Sequence, residues 1–142
     1  MDTLTGAVSL SADAVAGLIK VILLSASYTP DIDTHTRYRD LSAHEVNVTG
    51  PIATGYSGGG QAVSASLAFA VDTANDRASF DAGDNAWVSS TITARYLALV
   101  KVRGGSRDLD NLIGFIDFGS NQSSSNGTFT IQWNSSGILL LS

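Results

Sequence analysis

Residues 92–102, ITARYLALVKV, decide the fold class of this chain. Ile92, Ala94, Tyr96, Ala98, Val100 and Val102 alternate with Thr93, Arg95, Leu97, Leu99 and Lys101. Successive side chains of a strand point to opposite faces, so this period of two predicts a β-strand with one face in the core. Leu97 and Leu99 on the second face predict that it is covered as well, which places the strand centrally in its sheet.

Working outward, similar patterns predict strands at Lys20–Ser25, Gln61–Val71, Arg77–Asp81, Leu112–Phe118, Thr128–Trp133 and Ile138–Leu141, with a further one at Thr3–Leu10. Turn residues separate these runs at Ala74-Asn75-Asp76, Gly83-Asp84-Asn85, Gly104-Gly105-Ser106 and Ser136-Gly137. Asn126-Gly127 has the chemistry of a tight hairpin, since both residues tolerate positive φ. Ser120–Ser125 is expected to be a loop between strands. Ser42 followed by Glu45 forms a capping-box pattern, predicting one helical turn over Leu41–Val46, and Asp13–Gly17 is a second candidate turn. Neither is long enough to build a helical layer. The expectation is an all-β chain: a single antiparallel β-sandwich domain spanning residues 1–142, jelly-roll-like, with one or two short helical turns.

Composition narrows the function. Charged residues are 15% of the 142, against roughly 25% in an average soluble domain. Serine, threonine and glycine fill the difference, a surface suited to β-structure and crowded protein contacts. The net charge is −5 and the eight Lys and Arg residues never cluster, which argues against nucleic acid as a partner. With no cysteine there is neither a disulfide framework nor a thiolate site. The longest early apolar run is short and interrupted by Lys20, too little to span a bilayer. No basic stretch of a secretion signal precedes it, so synthesis in the cytoplasm without membrane association is expected.

Two constellations look chemical. Gly55-Tyr56-Ser57-Gly58-Gly59 matches the G-x-S-x-G of a nucleophile elbow. That elbow needs a strand before it, a helix after it and a histidine later in the chain, whereas His35 and His44 both precede Ser57. A glycine-rich turn feeding a strand is the better reading. Asp31, Asp33 and His35 share one face of an extended segment, a spacing that could gather metal ligands. Pro30 and Thr34 favour a turn in which an aspartate bonds its own local backbone instead. Asp72, Asp76, Asp81 and Asp84 are scattered through turns, and no carboxylate pair for sugar chemistry stands out. Trp133 suits the core; Trp87 fits either core or surface.

Three blocks resemble small structural proteins of tailed bacteriophages, those of the capsid decoration (cement) or accessory virion kind. They are IKVILLSASYTPDIDTHTRYRDLSAHEV (Ile19–Val46) leading into GYSGGGQA, DNAWVSSTITARYLALVK (Asp84–Lys101), and LIGFIDFGSNQSSSNGTFTIQWNSSGILLLS (Leu112–Ser142). The resemblance implies a non-enzymatic virion component, made in the bacterial host cytoplasm, with the major capsid protein or other virion proteins as partners and a homo-oligomeric state. A tail, baseplate or head-fibre component with an adhesive role is the alternative. It implies no catalytic, metal or cofactor-binding residue and no cofactor. Long loops on a rigid scaffold usually carry binding. The expected interface is therefore the Ser25–Gly60 excursion, with Asp31, Asp33, His35, Arg37, Tyr38 and Arg39 as its candidate contacts.

Overall fold

The computed structural model describes residues 10–48, 52–63, 68–74, 77–134 and 138–141. A short helix α1 (Leu10–Val15) precedes β1 (Ile19–Leu24), β2 (Gln61–Ala62), β3 (Ala68–Asp72), β4 (Arg77–Asp81), β5 (Asn85–Lys101), β6 (Asn111–Ile131) and β7 (Leu139–Leu141). One antiparallel sheet runs β2-β1-β5-β6 and a second runs β3-β4-β7. Phe80 and Ala82, from the end of β4 and just beyond it, share one hydrophobic cluster with Ile19, Val21 and Leu23 of β1 and Leu97 and Leu99 of β5. The two sheets therefore close on a common core, the all-β arrangement the alternation predicts.

β1 is covered on both faces. Ile19, Val21 and Leu23 enter the main core, while Ile22 and Leu24 enter a second cluster with Tyr28, Tyr38, Leu41, Ala98 and Val100. Along its inner edge β1 pairs with β5 from Ile19↔Lys101 to Leu24↔Tyr96. A salt bridge of 2.7 Å from Lys101 to Asp13 fastens α1 beside this end of the sheet.

β5 and β6 form a hairpin of 17 and 21 residues, in register from Lys101↔Asn111 to Asn85↔Ile131. At about 3.4 Å per residue the ribbon is roughly 55 Å long. Strict alternation does not survive over that length. Trp87 points to the main core, then Ile92 and Ala94, then Leu97 and Leu99. The parity changes where the β5–β6 register shifts, between Trp87 and Ser90 and again between Ala94 and Tyr96. The first shift places one extra residue in β5 and the second three extra residues in β6, and beyond each the core-facing side chains of β5 change parity. Thus Leu97 and Leu99 face the same core as Ile92 and Ala94, rather than the opposite face as the pattern alone implies.

β6 corrects three expectations. Leu112–Phe118 and Thr128–Trp133 belong to one strand that ends at Ile131, and the serine-rich segment between them is not a loop. Two of its hydroxyls are paired across the ribbon: Ser123 Oγ lies 3.0 Å from Thr93 Oγ1, and Ser124 Oγ 2.9 Å from Ser90 Oγ. Asn126 does have positive φ, 47°, but within β6 opposite β5 and not in a hairpin turn. Ile92↔Ser124 is followed there by Ser90↔Gly127, so the Asn-Gly chemistry builds a bulge. The reversal itself lies at residues 102–110, through Gly104 and Gly105 with φ of 80° and 82° and a 3₁₀ turn at Arg107–Leu109.

The strand expected over Gln61–Val71 is divided between β2 and β3, which lie in different sheets. Thr3–Ser9 and Ser136-Gly137 lie outside the described residues, while Leu10 opens α1. Trp87 is 2% exposed and packs against Tyr56 and Phe129, with ring centroids 5.9 and 6.2 Å away. It is a core residue, and Trp133 packs at that core's margin.

Candidate interaction surface

The excursion from Ser25 to Gly60 crosses one face of the larger sheet and then turns into the main core. Tyr28, Tyr38 and Leu41 cover Ile22, Leu24, Ala98 and Val100, whereas Val46, Ala53 and Tyr56 join the cluster on the opposite side of β1. In sequence it is polar and rich in turns. One buried side chain ties its separate parts together.

Glu45 is 1% exposed. Its carboxyl accepts hydrogen bonds from Tyr38 Oη at 2.5 Å, Tyr56 Oη at 2.6 Å and the Gly59 N–H at 2.7 Å. Tyr56 Oη in turn accepts the Leu23 N–H of β1 at 3.1 Å. Burial, reinforced by the hydrogen bond to Glu45, pushes the Tyr38 hydroxyl up to about 12. Burial and then the charge of Glu45 push Tyr56 higher still. Both phenols thus stay protonated donors at any ordinary pH. Glu45 also forms an isolated backbone bridge to Leu24, so the middle and the far end of the excursion are tied to the end of β1 at this one residue.

Arg107, from the β5–β6 turn, closes the network from outside, its guanidinium carbon 5.6 Å from the Tyr38 ring centroid. Gly59 has φ +87°, a conformation that favours glycine, and an added Cβ would lie 2.8 Å from that carbon, so the Arg107 side chain would have to move aside. Lys20, Tyr38, Gly59, Arg107 and Asp110 line a cavity of about 150 Å³.

The capping box expected of Ser42 and Glu45 is not formed. Ser42 Oγ donates to the Arg39 carbonyl at 3.2 Å, and Glu45 points inward. The helical signal becomes two 3₁₀ turns, Tyr38–Asp40 and Ser42–His44. Asp40 performs the capping instead: its Oδ2 accepts the N–H groups of Thr36 and Arg37 at 2.9 and 2.8 Å. Burial alone would raise the Asp40 pKa, but those two N–H groups and Arg39 outweigh it and hold the carboxyl below its usual 3.8. A carboxylate whose folded pKa is depressed stabilises above the unfolded value and loses that contribution as pH falls through the folded one. Amide resonances of Thr36 and Arg37 should therefore titrate with a midpoint below 3.8 and lose that transition in Asp40→Asn. A midpoint at or above 3.8 would contradict the capping role.

The six anticipated contacts separate. Asp31 is exposed and closes a turn, its Oδ1 accepting the N–H groups of Asp33 and Thr34 at 2.9 and 3.1 Å. These bonds, with the Thr34 hydroxyl foremost, keep its carboxyl below the ordinary range. Asp33 is exposed beside it. His35 is half-buried, Nδ1 lying 2.9 Å from Tyr28 Oη with the two rings stacked at 5.5 Å. Among the described residues no three His, Cys, Asp or Glu side chains gather as metal ligands would. Arg37 reaches the turn beyond β5, donating to Asn111 Oδ1 and to the Leu109 carbonyl at 3.3 Å. Tyr38 is buried on Glu45 and supports the excursion from beneath. Arg39 remains outward, 3.6 Å from Asp40.

Ser57 is exposed in a turn closed by the Gly60 N–H on its carbonyl at 3.0 Å. His35 and His44 flank Tyr28 instead, and among the described residues no hydrogen bond joins either histidine to Ser57. The chemical content of Gly55–Gly59 is thus the Tyr56 hydroxyl and the Gly59 N–H, both spent on Glu45.

Scans of family models, curated proteins and solved structures return no match to this chain.

Reading the sequence by motif gives Glu45 a capping role and misses its buried one. One signal was present, since among thirteen acidic residues it is the sole glutamate. What the surface offers is apolar. Ile32, Val48 and Ile52 are 81%, 56% and 62% exposed, three large hydrophobic side chains presented by a segment pinned from below.

Proposed function

We propose that this chain is a structural component of a tailed-phage virion, a capsid decoration protein that binds the outer head surface through the Ser25–Gly60 excursion. The three blocks that resemble such proteins support the class. The observation that carries the contact surface is the exposure of Ile32, Val48 and Ile52 on a segment held by the buried Glu45 network. A loop ordered before binding loses little entropy on docking, and apolar side chains on it gain area that water would otherwise cover. Many copies on a symmetric shell add avidity, so each contact needs only modest strength. The role is binding, with no reaction assigned to the histidines or to Ser57.

The test is co-sedimentation of the purified protein with heads that lack it. Saturable binding is expected, and the pair Ile32→Asp and Ile52→Asp should weaken it by roughly tenfold or more, at about 1 kcal/mol for each anchor. Thermal stability should be preserved, because both side chains are exposed. Absence of binding, or binding indifferent to both substitutions, removes this reading. Density for the chain on the tail in a map of the parent particle would transfer it to the tail or baseplate.

A further inference from the structure

β1 is apolar except at one position. Within Ile19–Leu24, Ile22 and Leu24 lie in the cluster beneath the excursion, and Lys20, two residues before Ile22, belongs to the same face. It is half-buried there. An ammonium withdrawn from water is costly unless a counter-charge meets it. Arg39, Arg95 and Lys101 meet Asp40, Asp117 and Asp13 in this way. Among the described residues no carboxylate oxygen lies within 4.0 Å of Lys20 or of Arg107.

These two cations line the same cavity of about 150 Å³. Arg107 reaches it from the turn between β5 and β6, resting on the Tyr38 ring. A guanidinium has five N–H groups, more than that contact occupies. Like charges brought to one small space repel, although the chain as a whole is acidic, at −5. The acidic groups nearby are engaged elsewhere. Asp110 lines the cavity, but its Oδ1 accepts the Arg103 N–H at 2.8 Å. Glu45 lies behind Tyr38, bonded to its three donors. The lining therefore carries two positive charges, Lys20 and Arg107, against the one negative charge of Asp110. Much of the remaining wall is aliphatic, from Ile22, Val100 and Val102.

We propose that this cavity binds an aliphatic carboxylate, its head held by Lys20 Nζ and the Arg107 guanidinium and its stem laid on Ile22, Val100 and Val102. The two halves of the lining select the class. A bare inorganic oxyanion uses the cations and gains nothing from the aliphatic wall, whereas a wholly apolar ligand strips water from two unmatched charges. An acidic side chain has both parts. Tyr38 and Gly59 of the excursion belong to the same lining, so the occupant is an aspartate or glutamate of the surface on which the excursion docks. This deepens the reading above and rests on it only for the source of the carboxylate.

The site is tested on the purified chain without heads. Titration with butyrate, followed by the amide resonances of Lys20, Gly59, Gly105 and Val102, should give saturable shifts that sodium chloride at equal ionic strength does not produce. Arg107→Gln and Lys20→Met should each weaken butyrate binding by roughly tenfold or more, since each removes a charge-assisted hydrogen bond. Lys20 lies in a central strand, so if Lys20→Met fails to fold, the wild-type titration and Arg107→Gln, on an exposed turn, decide the matter. No saturable shift, or binding indifferent to Arg107→Gln, overturns the proposal. Tighter binding of inorganic phosphate than of butyrate overturns the aliphatic class. With heads present, Arg107→Gln should weaken co-sedimentation by a similar factor, and undiminished co-sedimentation beside butyrate binding overturns the acidic side chain as occupant. Heads that never bind remove the decoration reading and leave the butyrate result standing, so the two failures are separate.

Discussion

Glu45→Ala lowers the stability of this protein by about 3–5 kcal/mol, as an expected result of leaving three buried donors without an acceptor at roughly 1–3 kcal/mol each. The donors are the Tyr38 and Tyr56 hydroxyls and the Gly59 N–H. None reaches water without moving the excursion, because Glu45, Tyr38, Tyr56 and Gly59 are all buried. With total stability of the order of 5–15 kcal/mol for a natural domain, such a loss is a large fraction of the whole. Glu45→Gln keeps the shape but turns an amide NH₂ toward hydroxyl donors, and should fall between wild type and alanine. Urea unfolding followed by tryptophan fluorescence measures both, since the Trp87 ring lies 5.9 Å from that of Tyr56. A loss below about 1 kcal/mol for the alanine variant would show that the network does not hold the excursion.

The second large effect is at Gly60, where φ is +65°. An alanine Cβ would overlap the carbonyl oxygen of Val21 and lie 2.8 Å from its carbonyl carbon, both backbone atoms of β1. Neither can yield as a flexible side chain would. Either β1 shifts, or the Val21↔Gln61 and Lys20↔Ala62 pairs that anchor β2 are lost. Gly60→Ala is expected to cost at least about 3 kcal/mol. Gly104 is the control: its φ is +80°, yet nothing lies within 4 Å of an added Cβ. Gly104→Ala should carry only the left-handed backbone penalty, about 1 kcal/mol. Comparing the two unfolding midpoints isolates steric contact from backbone conformation, and equal losses would refute the close approach.

Much of the fold was legible because it rests on local pattern. β1 and β4 occupy almost the residues their alternation predicts, and the turn at Asp31 follows from an aspartate accepting the two N–H groups that follow it in the chain. β5 was recognised from Ile92 onward but begins at Asn85, since Ala86, Val88 and Ser89 on its exposed side blur the apolar signal. Serines 120, 123, 124 and 125 carried no strand signal at all. They are extended because β5 lies beside them, with Thr93 and Ser90 about thirty positions earlier meeting the hydroxyls of Ser123 and Ser124.

The candidate surface divides in the same manner. That the Ser25–Gly60 segment leaves the sheet and turns often was evident from Pro30, the aspartates and the glycines. Which side chains it shows was not. Tyr38 lies inward and Ile32 outward because Glu45, Tyr56 and Gly59 converge from separate parts of the excursion, up to fourteen residues apart.

The amino-acid sequence by itself determined that this protein is built of strands, since a period of two writes the pleat directly into the order of residues. It also pointed to positive φ at Gly104, Gly105 and Asn126, since glycine and asparagine bear that conformation at little cost, though not to the positive φ of Ser89. Only the tertiary structure decided which face each half of β5 presents, that β6 is a single strand, and that the sole glutamate is the centre of the excursion. The physical reason is range. Alternation and turn chemistry act between neighbours, whereas a bulge, a partner strand and a buried carboxyl exist only once distant segments have met.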